Sequence, residues 1–174
     1  MIIAITGQRG SGKDYIGSLI ANNYTFTQRA FADPVKEVIR STFKLQSNDQ
    51  YDCFKRTTHQ IAGNEIHGRD IVLGVGMAMR DVNPNFSIEY MSKWVTSDLV
   101  ITDLRFEDEY RWCVDNGATI VMVRSSDGES NVDHISERGF DEYQCNYVIV
   151  NDKTDRIEDQ VSALMTELFE KEGF

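Results

Sequence analysis

The run Gly7-Gln-Arg-Gly-Ser-Gly12-Lys13 places a glycine-rich turn and a lysine between an apolar stretch and a helical pattern, and few folds use that arrangement. Ile2–Thr6 is a continuous apolar run, as expected of a strand buried on both faces of a parallel sheet. Ile16, Leu19 and Ile20 follow at helical spacing. The spacing is GxxxxGK, in the strand–turn–helix context the motif requires. Glycines let the backbone approach a phosphate chain. Successive N–H groups and the positive end of the helix dipole then face its oxygens. Gly7, Arg9, Gly10, Ser11, Gly12 and Lys13 are the predicted phosphate-binding set, with Lys13 reaching the outer phosphates of ATP. A glycine turn that binds nothing is the bland alternative; position, spacing and lysine together disfavour it.

One position departs from the usual pattern. Where the motif ordinarily carries a Mg²⁺-binding Ser or Thr, this chain has Asp14. A carboxylate is also a hard oxygen ligand. Asp14 is therefore read either as a metal ligand, direct or through water, or as a helix cap.

Beyond the loop, strands and helices alternate. Phe26–Phe31 is a second candidate strand, and Asp33-Pro34 reads as an N-cap with proline at the first helical position. Helical spacing recurs at Val35, Val38, Ile39 and Phe43, at Ile71, Val72, Val75 and Met79, and at Ile88, Met91, Trp94 and Val95. Leu99–Asp103, Ala118–Val123 and Tyr147–Val150 read as strands. Phe106, Tyr110 and Cys113 mark a helix capped by Gly117, and Ile157, Val161, Leu164, Met165 and Leu168 form the stripe of a last helix opened by Asp155 and Glu158. Residues 46–67 carry no readable pattern, and the polar stretch 124–143 reads as a surface excursion. Such alternation implies an α/β fold with a parallel sheet covered on both faces, in a single domain spanning residues 1–174. Ligands of such sheets bind at the carboxyl ends of the strands.

Charge narrows the partners. A net charge of −10 argues against binding long nucleic acid, which needs many phosphate contacts. A small phosphorylated ligand needs only a local basic pocket. No apolar run is long enough to span a membrane. Three cysteines, Cys53, Cys113 and Cys145, lack metal-site spacing and suit a reducing cytoplasm, with Cys113 and Cys145 in apolar patterns. Assembly, including a homodimer, is left open.

Asp103 ends an apolar strand, at a position suited to a water-mediated Mg²⁺ contact or to capping the next helix. Arg105 lies two residues on; a guanidinium fork suits phosphate, and an ion pair with Glu107, Asp108 or Glu109 is the ordinary alternative. Lys36, Arg69 and Arg80 sit on helical segments, where a solvated charge is the usual explanation. Arg124 ends a strand and Arg138 falls in the excursion; each is read as an arginine reaching a transferring phosphate, or as a solvated loop charge.

The ordered series of motifs resembles the phage-type deoxynucleoside monophosphate kinases. It comprises Gly-x-x-x-Ser11-Gly12-Lys13-Asp14, Phe31-Ala-Asp-Pro-Val-Lys36, Arg69 with Gly76 and Arg80, Asp103-Leu-Arg105 with Glu109, Asn116-Gly-Ala-Thr119, His134-Ile-Ser-Glu137 and Val148-Ile-Val-Asn151-Asp152. Residues 44–67 match poorly. The resemblance implies a P-loop nucleoside monophosphate kinase fold, a three-layer sandwich whose first strand is central in a five-stranded parallel sheet. It implies ATP and Mg²⁺, a deoxynucleoside monophosphate acceptor, a mobile lid at about 124–143 and an acceptor-binding helical region at about 33–97. Carried onto this chain, Lys13, Asp103, Arg105, Arg124 and Arg138 become catalytic, and Asp14 and Asp103 hold the metal. Lys36, Arg69, Arg80 and Phe31 hold the acceptor, and Asn151 lies where the family's loop meets the adenine. A phage origin, and so a host cytoplasm, follows from the resemblance alone.

Other readings share the loop. A kinase for dephospho-coenzyme A or phosphomevalonate differs only in its acceptor pocket. A GTPase lacks its Asn-Lys-x-Asp here. A non-catalytic nucleotide sensor would need no acceptor site.

Overall fold

The computed structural model describes residues 1–125, 140, 144–154 and 156–173. His134, Ser136, Glu137, Arg138, Asp155 and most of the excursion expected at 124–143 lie outside the described residues. In chain order the elements are β1 (Ile2–Thr6), α1 (Lys13–Tyr24), β2 (Thr27–Arg29), α2 (Asp33–Phe43), α3 (Asn48–Arg56), β3 (Thr58–Ile61), β4 (Asn64–His67), α4 (Gly68–Val82), α5 (Phe86–Met91), β5 (Leu99–Ile101), α6 (Glu107–Asp115), β6 (Thr119–Ser125), β7 (Tyr147–Asn151) and α7 (Arg156–Glu172). They form two compact units, one of Met1–Ala30 with Met91–Phe174 and one of Phe31–Tyr90.

In the first unit five parallel strands run in the order β2-β5-β1-β6-β7, with β1 in the middle as expected. All of β1 is buried. Ile3, Ile5, Val121, Val123 and Ile149 face Ile16 and Ile20 of α1 and the α7 stripe Ile157, Val161, Leu164, Met165 and Leu168. Alternate strand residues, Ile2, Ala4, Leu99, Ile101 and Ile120, turn to the opposite face and are equally buried. Each buried Ile, Leu or Val side chain contributes about 1.5–3 kcal/mol by leaving water. The chain runs from β1 out to β2 on one side and through β6 to β7 on the other. The loop after β1 therefore sits at the switch point, where ligands of open α/β sheets bind. The free edge of β7 is covered by Gln160, whose side-chain amide donates to the Val150 carbonyl at 2.9 Å and accepts its N–H at 3.0 Å.

In the second unit Val35, Ile39, Tyr51 and Phe54 form a core with Ile71, Val72, Val75 and Met79. The stretch without readable pattern is α3 followed by the antiparallel β3–β4 hairpin. Asp33 does not cap α2 as expected. It is the first helical residue; Ala32 takes the cap position, with no side-chain hydrogen bond. The pattern at 88–95 breaks into α5, which lies in the second unit up to Tyr90, and a 3-10 turn, Ser92–Trp94, in the first. Cys113 is buried, whereas Cys145 is only half-buried. No helix among the described residues is long and apolar enough to cross a membrane.

Candidate phosphate-transfer site

The loop from Gly7 to Lys13 owes its path to glycine at two positions. Gly7 has φ +138°, and a Cβ there would lie 2.2 Å from the Val123 carbonyl oxygen. Gly12 has φ +99°, caps α1 without any side-chain acceptor, and leaves the first helical N–H groups to other partners. The first N–H of the helix to find a carbonyl within the turn is that of Ile16, which bonds Gly12 at 3.0 Å. The Ser11 hydroxyl is buried with no hydrogen-bond partner among the described residues. A buried orphan hydroxyl beside an uncapped helix start is costly unless an acceptor group occupies the loop.

Lys13 is 8% exposed. Its ammonium donates to the Gly7 carbonyl at 2.8 Å and to the Gln8 carbonyl at 2.7 Å. One of its three N–H donors has no acceptor among the described residues. Burial first, and then the nearby Arg105 charge, push its pKa down to about 8, while Asp14 and Asp103 hold it up. Two cations, Lys13 and Arg105, and two carboxylates, Asp14 and Asp103, thus converge on the loop. Adding a polyanion relieves the repulsion between the cations.

Asp103 is buried, two residues beyond the last residue of β5. Arg105 is half-buried and its guanidinium pairs with no carboxylate among the described residues. Two of the three anticipated alternative partners are otherwise engaged. Glu107 pairs with Arg111 at 3.1 Å, and Glu109 turns inward to accept the backbone N–H groups of Arg105 and Phe106. Asp14 is exposed and does not cap α1. Among the described residues no group of three or more His, Cys, Asp or Glu could hold a metal by itself. Asp14 and Asp103 still suit Mg²⁺, which is commonly held by one or two carboxylates completed by phosphates and water.

The remaining predicted residues fall as follows. Arg9 is exposed at the loop tip, beside Gly10 at φ +78°. Arg124 lies at the carboxyl end of β6, opposite Val150 of β7. Asn151 ends β7 and reaches back to the loop, donating to the Ser11 carbonyl at 2.9 Å. Phe31, Lys36, Arg69 and Arg80 belong to the second unit. Phe31 is buried, and Lys36 pairs with Asp33 at 2.8 Å. Arg69 and Arg80 share one stripe of α4 with Gly76, whose bare backbone faces Val35 of α2. Arg138 lies outside the described residues.

Two side-chain arrangements at strand ends were not visible in the sequence pattern. One is Glu109 in its capping role. The other is Arg29, the last residue of β2, whose guanidinium lies 3.8 Å from the centre of the Trp94 ring. Its Nε is buried without an acceptor among the described residues, as is the Trp94 indole N–H. An arginine ending a short strand was the available signal.

The family described as deoxynucleotide monophosphate kinase matches residues 1–82 and 68–162 of the chain. The chain belongs to the deoxynucleotide monophosphate kinase family. Membership makes it a nucleotide kinase, a phosphotransferase acting on small-molecule substrates. A relative from Acanthamoeba polyphaga mimivirus, named "Putative deoxynucleotide monophosphate kinase", is 26% identical over 176 residues, covering 88% of this chain and 90% of the relative. Among solved structures, dephospho-CoA kinase from Campylobacter jejuni matches with a TM-score of 0.50 at 13% identity, covering 98% of both chains. Shikimate kinase from Bacteroides thetaiotaomicron matches with a TM-score of 0.48 at 12% identity, again covering 98% of both chains. At 13% identity the likeness to the dephospho-CoA kinase is one of fold.

Proposed function

We propose that the chain transfers the γ-phosphate of ATP to a deoxynucleoside monophosphate, giving ADP and a deoxynucleoside diphosphate. The observation that carries the reading is the convergence of Lys13, Arg105, Asp14 and Asp103 on an uncapped helix start, in a chain of this family. The acceptor phosphate has a second pKa near 6 and is largely ionised at neutral pH, so its oxygen needs no general base. That oxygen attacks the γ-phosphorus in line, the bond to the β–γ bridging oxygen breaks, and ADP leaves with that electron pair. Catalysis is then positioning and charge neutralisation.

The backbone N–H groups of Gly10, Gly12, Lys13 and Asp14 hold the β-phosphate, and the Ser11 hydroxyl adds a donor; the Ser11 N–H itself bonds the Gln8 carbonyl at 3.2 Å. Lys13 bridges the β- and γ-phosphates. Arg105 and Arg124 neutralise charge on the transferring group, with Arg138 in the same role. Lys36, Arg69 and Arg80 bind the acceptor phosphate, and Phe31 lines its base. Asn151 belongs to the ATP side. Asp14 and Asp103 would hold Mg²⁺, which would supply positive charge against the phosphates.

The test is ADP release by the purified chain with ATP and Mg²⁺ against dGMP, dTMP, dCMP, dAMP and the ribonucleotides, with Lys13→Ala as control. Lys13-dependent turnover with one or more deoxynucleotides is the expected result. ATP binding without turnover on any of them would overturn the reading and direct the search to dephospho-coenzyme A, phosphomevalonate or a sensor role.

A further inference from the structure

We infer that Asn151 is a positioning residue for the phosphate loop and not a reader of the adenine base. The inference rests on the proposed binding of a triphosphate by that loop. Asn151 closes β7, and both ends of its side-chain amide are engaged. Its Nδ2 donates to the Ser11 carbonyl at 2.9 Å, and its Oδ1 accepts the Lys153 N–H at 3.0 Å. Only one orientation of the amide serves both partners, since a carbonyl needs a donor and an N–H an acceptor. The second contact pins a turn in which Lys153 adopts φ +60°, a conformation Asx turns support.

The consequence for the loop follows from peptide geometry. In a planar trans peptide the C=O and the N–H point to opposite sides. Holding the Ser11 oxygen toward β7 turns the Gly12 N–H away from β7. That N–H bonds no acceptor among the described residues, and it adds to the donors that open α1. Gly12 is shaped by the same contact, because a Cβ there would lie 2.3 Å from Asn151 Nδ2. Asn151 thus sets the direction of a phosphate-binding N–H from outside the loop. Its contribution extends to any ligand carrying the phosphate chain, whatever its base.

Binding to the full chain is measured by calorimetry for ATP, GTP and inorganic tripolyphosphate, in wild type, Asn151→Ala and Asn151→Asp. Asn151→Asp keeps the acceptor for Lys153 and removes only the donor to Ser11; Asn151→Ala controls for the added charge. Losing one well-placed hydrogen bond predicts weakening of about tenfold for both ATP and tripolyphosphate. The ATP-to-GTP ratio and the KM of the acceptor stay at wild-type values. Weakening of ATP alone, with tripolyphosphate unchanged and base preference altered, would overturn the inference in favour of a base contact. Wild-type affinities in both variants would overturn it outright. A wild-type chain that binds neither ATP nor tripolyphosphate removes the underlying reading as well, and is told apart by that result.

Discussion

The buried carboxylate of Glu109 accepts the backbone N–H of Arg105 at 3.1 Å, and that of Phe106 at the same distance. One side chain therefore sets the direction in which the chain leaves β5, and with it where Arg105 points. Glu109 is 3% exposed, and removing it leaves two half-buried N–H groups without their acceptor. Glu109→Ala is expected to cost about 1.5–3 kcal/mol in urea unfolding, the range for hydrogen bonds to a charged group. Turnover should fall more than ATP affinity, because the loop from Gly7 to Lys13 is untouched. Glu109→Gln keeps an acceptor oxygen and should lose less than half as much.

Lys13 gives the site a pH dependence. With a folded-state pKa of about 8, its ammonium is lost as pH rises through 8 in the unliganded chain. kcat/KM for ATP reports the free enzyme and should decline above that pH. Lys13→Arg, whose guanidinium stays charged, should lack that limb at whatever lower rate it retains. Stability runs the other way. Between about 8 and the ordinary 10.5 the unfolded chain binds more protons at this residue than the folded chain does. Stability from this group therefore rises with pH across that window, by up to about 3 kcal/mol. The difference in unfolding free energy between wild type and Lys13→Met across the window isolates the effect. Lys13→Met should also lose about 10²–10³-fold in kcat, as for removal of one transition-state donor.

Much of this was legible in the sequence, for physical reasons that differ by residue. The strand at Ile2–Thr6, the loop and α1 follow each other with no tertiary information, because an unbroken apolar run and a helical stripe are local patterns. Lys13, Asp14, Asp103 and Arg105 were readable because strand ends at a switch point gather. The stretch 46–67 was not. In α3 only Tyr51 and Phe54 are buried, and they find their core on α2 and α4, far away in sequence. In the hairpin, β4 is mostly exposed and shows no alternation. Its turn uses Ala62 at φ +49° before Gly63 at φ +83°, so the usual Asn-Gly or Asp-Gly mark is missing. Glu109 was hidden among three consecutive acids, Glu107, Asp108 and Glu109, of which only the third turns inward.

Asp14 separates a metal role from a helix-end role. If it holds Mg²⁺, Asp14→Ala should raise the half-saturating free Mg²⁺ about tenfold, the lower end of effects seen at metal-site supports. Asp14→Ser should recover most of that loss, because a hydroxyl is the usual ligand at this position. If Asp14 only favours the start of α1, the Mg²⁺ dependence would not move. Asp14→Ala would then cost about 0.3–1 kcal/mol of stability. Mg²⁺ titration of initial rates at saturating ATP decides between them.

Two glycines of the loop should answer differently to the same substitution. At Gly7 an alanine meets both a backbone oxygen 2.2 Å away and a φ of +138°. Neither β1 nor β6 can yield, because both are held in the middle of the sheet. Steric overlap and backbone strain add there, each costing about 1–3 kcal/mol. Gly7→Ala should therefore lose most of the folded protein at 37 °C. At Gly10 φ is +78° and nothing lies within 4 Å of the added Cβ. Gly10→Ala meets only the left-handed backbone term, about 1–2 kcal/mol, and should fold. Its deficit should appear in ATP affinity, if the backbone there shifts to relieve the strain. Chemical denaturation of the two variants side by side, followed by ATP titration of whichever folds, checks both halves. Equal stability loss at the two positions would show that contact with Val123 does not shape the loop.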